Sequence, residues 1–302
     1  MDKQWKKRQG AKIRLGAKHA TAIQKAIKES VDISLLVTDF FFSHNTAPIS
    51  TAEARTWVYL HAKSNTKLLG EALGKLYAES YVLGQDIAMS AIAKVSINKT
   101  PTLNEMQRAM GIDWNSWKPG NRAAALLVTP KGGLQKLMQA RGVTIDGITK
   151  TTYDRIGTQL AYALQHGLTP NAVSSEIAAL LGQPSPARTS YLIQQGYSAV
   201  GDVMLDPERA LMIAQTEMSR AVSVAARELY QDSGVELVEW LTAEPCDECQ
   251  ENEDVSPIGI DETFPTGDTE PPAHPNCVCD LAPYVVDTQN IGEDALALTL
   301  GE

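Results

Sequence analysis

At 302 residues and 32.7 kDa, with 43% hydrophobic residues, the chain is long enough to bury a substantial core and to form two domains or one domain with extensions. Its formal charge of −9 hides a separation: residues 1–30 carry nine Lys/Arg against two acids, and no Lys or Arg follows Arg227. A charged start with no adjoining apolar segment, and no unbroken run of about 18 apolar residues, argue against a secretory leader and a membrane partner, so a soluble protein made in a reducing compartment is the expectation.

Residues 1–100 read as a helical arm or bundle. The basic start, Lys3, Lys6, Lys7, Arg8, Lys12, Arg14 and Lys18, suits nucleic acid or an acidic partner, or else a solvated helix face. Ile23, Ile27 and Val31 recur at intervals of four. After Phe40-Phe41-Phe42 and a polar break through Pro48, Ser50-Thr51-Ala52-Glu53 has the form of a capping box. From Trp57 through Leu60, Leu68, Ala72, Leu76, Leu83 and Ile87 a helix-period stripe predicts one long helix or two, with Gly70, Gly74 and Gly84 as candidate interruptions.

Residues 101–149 read as an irregular connecting region. Thr102-Leu103-Asn104-Glu105 has the form of a short helix start, and Trp114 and Trp117 precede a Pro119-Gly120 turn. The glycine pair in Val128-Thr129-Pro130-Lys131-Gly132-Gly133 lacks a phosphate-loop pattern.

Regularity returns at Thr151. Tyr153, Ile156, Leu160 and Leu164 form one stripe that ends near Gly167, and Thr169-Pro170 starts a second helix with Val173, Ile177, Leu180 and Leu181. This pair has a helix-turn-helix outline, but the second helix holds no Lys or Arg to meet phosphates. Asp206-Pro207 opens the clearest helix, with Leu211, Ala214, Met218, Ala221, Ala225 and Leu229 on one face and Gly234 as its stop. Val235–Thr242 and Leu281–Val286 are strand candidates whose pairing would bring the flanking segments to one end of a small sheet.

Those flanking segments hold every cysteine of the chain. Cys246-Asp247-Glu248-Cys249 is followed by His274-Pro275-Asn276-Cys277-Val278-Cys279, a spacing by which two turns present ligands to zinc. Four or five candidate donors, Cys246, Cys249, His274, Cys277 and Cys279, favour a closed structural site over a catalytic one; disulfides or free thiols are the alternative. Cys246 and Cys249 form the first pair, and His274, Cys277 and Cys279 compete for the remaining positions. The stretch between the clusters is acidic and poor in apolar residues, so a metal staple accounts for its folding.

Ala214-Gln215-Thr216-Glu217, Tyr230, Gly234, Trp240, Thr242, Cys246, Cys249 and His274-Pro275-Asn276-Cys277-Val278-Cys279, in that order, resemble the framework of the phage head morphogenesis or MuF-like minor head protein family. The resemblance runs through roughly residues 120–286, with Gln215 and Val278 standing where the family often has arginine. It implies a non-enzymatic minor component of a tailed-phage virion, in the head interior or portal region and in the host cytoplasm during assembly. Its implied partners are the portal protein and inner capsid or scaffolding proteins, with a role in head assembly and in genome packaging or delivery.

The residues therefore lead us to expect a mainly α-helical fold with a small C-terminal α+β, zinc-stapled module at 246–279 inside a MuF-like domain at 150–286, followed by an acidic tail at 287–302. Thr216 and Glu217 read as a structural tie, since no nucleophile and base accompany them in sequence. A DNA-binding assembly factor using the basic amino terminus or the helix-turn-helix-like segment is the alternative. A zinc-dependent nucleic-acid enzyme is the weaker one: Pro245-Cys246-Asp247-Glu248-Cys249 matches half of a deaminase signature, but no His-x-Glu occurs.

Overall fold

The computed structural model describes residues 3–44, 49–62, 65–92, 119–180, 206–242, 246–275, 277 and 279–284. The helices are α1 (Lys3–Lys28), α2 (Ile33–His44), α3 (Thr51–His61), α4 (Lys67–Ile92), α5 (Pro119–Val128), α6 (Gly132–Gln165), α7 (Pro170–Leu180), α8 (Asp206–Asp232) and the short α9 (Asp247–Asp254). Three strands, β1 (Leu237–Leu241), β2 (Ile258–Gly259) and β3 (Asp280–Tyr284), complete a mainly α-helical fold with a small carboxy-terminal sheet. The Thr102 start, Trp114, Trp117 and the 287–302 tail lie outside the described residues.

Helix ends follow local chemistry. Ser50 and Glu53 form the reciprocal capping box before α3. Thr169 Oγ1 accepts from the Ala172 amide to start α7. Gly167 and Gly234 take φ of 64° and 73° past the ends of α6 and α8, where only glycine adopts the left-handed turn without steric cost.

Four expectations are corrected. The stripe after Ser50 makes two helices, but the break falls at 62–66, where the Asn65 amide bonds the Ser30 carbonyl and its side chain accepts from the Lys67 amide. Gly70, Gly74 and Gly84 stay inside α4. Gly84 serves close approach: a Cβ there would lie 2.3 Å from the Val222 carbonyl oxygen of α8.

The region 101–149 is not irregular throughout, since α5 and the first half of α6 occupy 119–128 and 132–149. Leu134, Leu137 and Ile148 are buried at helical spacing, and Arg141 takes the intervening position by donating to the Gly70 carbonyl at 2.8 Å. The start of α6 is fixed from outside: Glu228 on α8 accepts from the Gly133 amide at 3.0 Å and from the Tyr81 hydroxyl.

The described helices within residues 3–92 form neither a free arm nor a bundle of their own. One core joins Ile23 and Ile27 of α1, Leu69, Leu73, Leu76 and Tyr77 of α4, Leu134 of α6, and Ala214, Met218 and Ala221 of α8. A second joins α2, α3, α7 and the last turns of α6 through Phe40, Val58, Ile156, Leu160 and Val173; Val31 belongs here and not to the α1 stripe. Each large side chain buried completely stabilises by about 1.5–3 kcal/mol, and α6 threads both cores.

The fourth correction concerns the basic start. Lys12 is buried and ion-paired to Asp280 at 2.7 Å, so it is not available to DNA or to a partner.

Candidate metal centre

The third core positions the cysteines. β1 lies between β2 and β3, antiparallel to both, and pairs with β3 from Leu237↔Tyr284 to Leu241↔Asp280. This register sets the residue after Cys279 opposite Leu241, the end of β1, five residues before Cys246. Val238 and Trp240 turn inward by the two-residue alternation and meet Leu229 and Tyr230 of α8, Ala88 and Ile92 of α4, and Cys249, Cys277 and Cys279. Trp240 packs edge-on against Phe264, ring centres 4.9 Å apart.

The acidic stretch between the clusters contains α9 and β2 and has its own polar scaffold. The Trp240 amide donates to Ser256 Oγ at 2.9 Å, and Thr242 Oγ1 donates to Glu253 at 2.5 Å. Asn252, fully buried, donates to Thr266 Oγ1 at 3.0 Å and accepts from its amide at 3.3 Å. From α8, Arg227 donates twice to the Ile260 carbonyl, at 2.8 and 3.2 Å, and Tyr230 donates to the Leu281 carbonyl at 3.3 Å.

On that frame the expected donors converge. Cys246 is the residue before α9 and Cys249 sits in its first turn. His274 Nε2 is 3.1 Å from Cys246 Sγ and 3.2 Å from Cys249 Sγ, and Cys249 Sγ is 3.7 Å from Cys277 Sγ. Two trios, Cys246/Cys249/His274 and Cys249/Cys277/Cys279, each have all donor atoms within 4.8 Å, and Cys249 belongs to both. All four cysteines are free thiols in this fold.

Taken pair by pair, the three contacts match the donor separations around a tetrahedral ion, while the two trios meet only at Cys249. Bonds of about 2.3 Å to sulfur and about 2.0–2.1 Å to nitrogen place donors about 3.5–3.8 Å apart, within a few tenths of an ångström of the contacts present. His274 Nδ1 is 2.9 Å from the Pro275 carbonyl, and donation there leaves the Nε2 lone pair facing the thiols.

The protonation pattern points the same way. The hydrogen bond from Cys279, against an opposing burial, brings the Cys277 thiol down to about 5. Cys279 is raised by that shared hydrogen bond and by burial. Burial first, and then the charge of Cys277, push Cys249 up to about 12. A crowded thiol cluster of this kind holds protons that a divalent cation displaces.

Three residues at the centre escape a reading of the sequence. Lys12 Nζ donates to the Cys279 carbonyl at 2.9 Å and to Asp280, and Gln9 Nε2 donates to Asp280 at 2.9 Å. The only local signal is an ionisable residue, Asp280, directly after the last cysteine at a strand start. Of the framework residues nearer the middle, Glu217 is buried and accepts from Tyr77, while Thr216 Oγ1 bonds back to the Met212 carbonyl at 2.7 Å.

Among the described residues no helix is long and apolar enough to cross a membrane. The chain matches no family model, no curated protein and no solved structure.

Proposed function

We propose that the chain is a non-enzymatic minor head protein of a tailed phage, residing in the head interior or portal region and binding the portal or inner capsid during assembly. The observation that carries this reading is the convergence, in one core, of the Thr-Glu helix, the following strand, the CxxC pair and the His-Pro-x-Cys-x-Cys segment. The centre is a structural zinc site with Cys246, Cys249, His274 and Cys277 as ligands. The donor contacts run as a chain from Cys246 through His274 and Cys249 to Cys277, and Cys279 flanks them as a hydrogen-bond donor to Cys277. The ion contributes folding energy by clamping α9 to the start of β3.

The experiment is a pull-down with the cognate portal, paired with quantitative protein analysis of procapsids and mature particles. Recovery at a few to some tens of copies per particle is expected. Absence from both particles together with no portal binding rejects the reading.

A second reading, a DNA-binding assembly factor, draws on the exposed Arg14, Lys18, Lys25 and Lys28 along α1. Two of these are already engaged, Lys18 with Glu79 at 2.5 Å and Lys25 with Glu29 at 3.9 Å. Salt-sensitive binding to duplex DNA without particle association would favour it.

A further inference from the structure

We propose that metal occupancy of the Cys/His centre and docking of the amino-terminal half of α1 are one coupled equilibrium, with Lys12 as the link; the inference rests on the zinc reading above.

Lys12 and the Asp280 carboxylate are 1% and 4% exposed, and 268 residues of chain separate them. An ammonium group withdrawn from water this completely is tolerated only while its partners hold their positions. Two of those partners lie directly beside the metal centre. One is the carbonyl of Cys279, the other is the carboxylate of the next residue, and Gln9 from the preceding turn of α1 donates to that same carboxylate.

With zinc bound, Cys277 and the segment running into β3 are clamped to α9. Without it, the four thiols and His274 keep only weak mutual hydrogen bonds, and the backbone at Cys279 and Asp280 gains freedom. The buried ammonium then loses fixed acceptors and water becomes the better environment for it. Farther along the same helix, Ile23, Ala26 and Ile27 remain in the first core, so release is confined to the amino-terminal half.

Coupling between two sites is reciprocal. Metal loss loosens the helix, and weakening the helix contact hastens metal loss. Lys12 is a positioning residue for the centre, acting through the Cys279 carbonyl without touching the ion.

The test uses the full chain. Zinc per chain is measured first, and amide hydrogen exchange is then compared with zinc bound and after chelation. Removal of zinc is expected to speed exchange across residues 3–16 about tenfold or more, a typical coupling factor, and to leave residues 23–28 close to their starting rate. Lys12→Met is expected to release zinc to a chromophoric chelator about tenfold faster than the unmodified chain, whereas Lys18→Ala, which removes only an exposed pair, releases it at the unmodified rate.

Equal exchange over residues 3–16 with and without zinc overturns the coupling, as does an unchanged release rate for Lys12→Met. If Lys12→Met does not fold, the exchange comparison on the unmodified chain decides alone. A purified chain that takes up no zinc overturns the metal reading and this inference with it, and so separates the two failures.

Discussion

Tyr77 on α4 donates its hydroxyl to Glu217 on α8 at 2.5 Å, with both side chains buried in the first core. Burial first and then the Glu217 charge raise the Tyr77 phenol well above its ordinary 10.0. Glu217 therefore joins two helices, which is the tie expected from the sequence. Tyr77→Phe removes the hydrogen bond to this buried carboxylate, leaving it Arg220 at 4.0 Å, and should cost about 1–3 kcal/mol. A double-mutant cycle with Glu217→Gln, read by urea unfolding, should show clear coupling; additive losses would refute the tie.

The metal centre yields an ordered series of variants. Cys249→Ser should lose zinc most completely, because Cys249 belongs to both donor trios. Cys246→Ser, His274→Ala and Cys277→Ser should each weaken retention more than tenfold, whereas Cys279→Ser should keep near-stoichiometric zinc. Elemental analysis of the purified variants decides, and full zinc in Cys277→Ser with none in Cys279→Ser would exchange the roles of those two residues. Apparent affinity should also fall as pH is lowered, since the ligand thiols must lose their protons to bind.

Helix packing is most sensitive at glycines that face backbone. A Cβ on Gly84 would lie 2.3 Å from the Val222 oxygen, and one on Gly157 would lie 2.6 Å from the Arg55 Cα. Neither neighbour can rotate away. Gly84→Ala and Gly157→Ala should each destabilise by at least about 1–3 kcal/mol, the usual cost of overpacking. Gly142→Ala meets open space within a helix and should be neutral or stabilising. Urea midpoints of the three variants check the order.

Acidification should weaken the fold through the contact between α1 and α4. Burial holds His19 below its ordinary 6.5 despite Glu79 at 3.2 Å. The unfolded chain thus takes up a proton near 6.5 that folded His19 accepts only at lower pH, so stability falls as pH drops through that range. Glu79 acts in the same sense lower down: burial opposes ionisation, but hydrogen bonds from Lys18 and His19 hold it below 4.5. His19→Gln should flatten the stability profile between pH 7.5 and pH 5.5 in urea titrations. An unchanged slope in that variant would locate the proton uptake elsewhere.

What could be read in advance was local. Pro207, the six-residue apolar face of α8 and Gly234 are start, stripe and stop within one helix, and five of those six face residues are buried. The two strands and the Cys/His spacing likewise carry their meaning over short distances. The first half of α6 was hidden because Arg141, Gly142 and Gly147 interrupt its apolar pattern, and Arg141 is accommodated by a carbonyl on another helix. Gly84 read as a break because its reason, the backbone of α8, lies far along the chain. Lys12 read as surface for the same cause: burial of a cation is decided by its counterion, and nothing near residue 12 points to residue 280.

That pairing also has a schedule. A ribosome adding about 5–20 residues per second needs on the order of 15 to 50 s to travel the 268 positions from Lys12 to Asp280. Throughout that interval the ammonium group lacks the Asp280 carboxylate, so the seat of this end of α1 stays incomplete while α2 to α8 are being made. Its final seat is complete only when β3 leaves the exit tunnel, so this end of α1 is locked in place after α2 to α8 have been made.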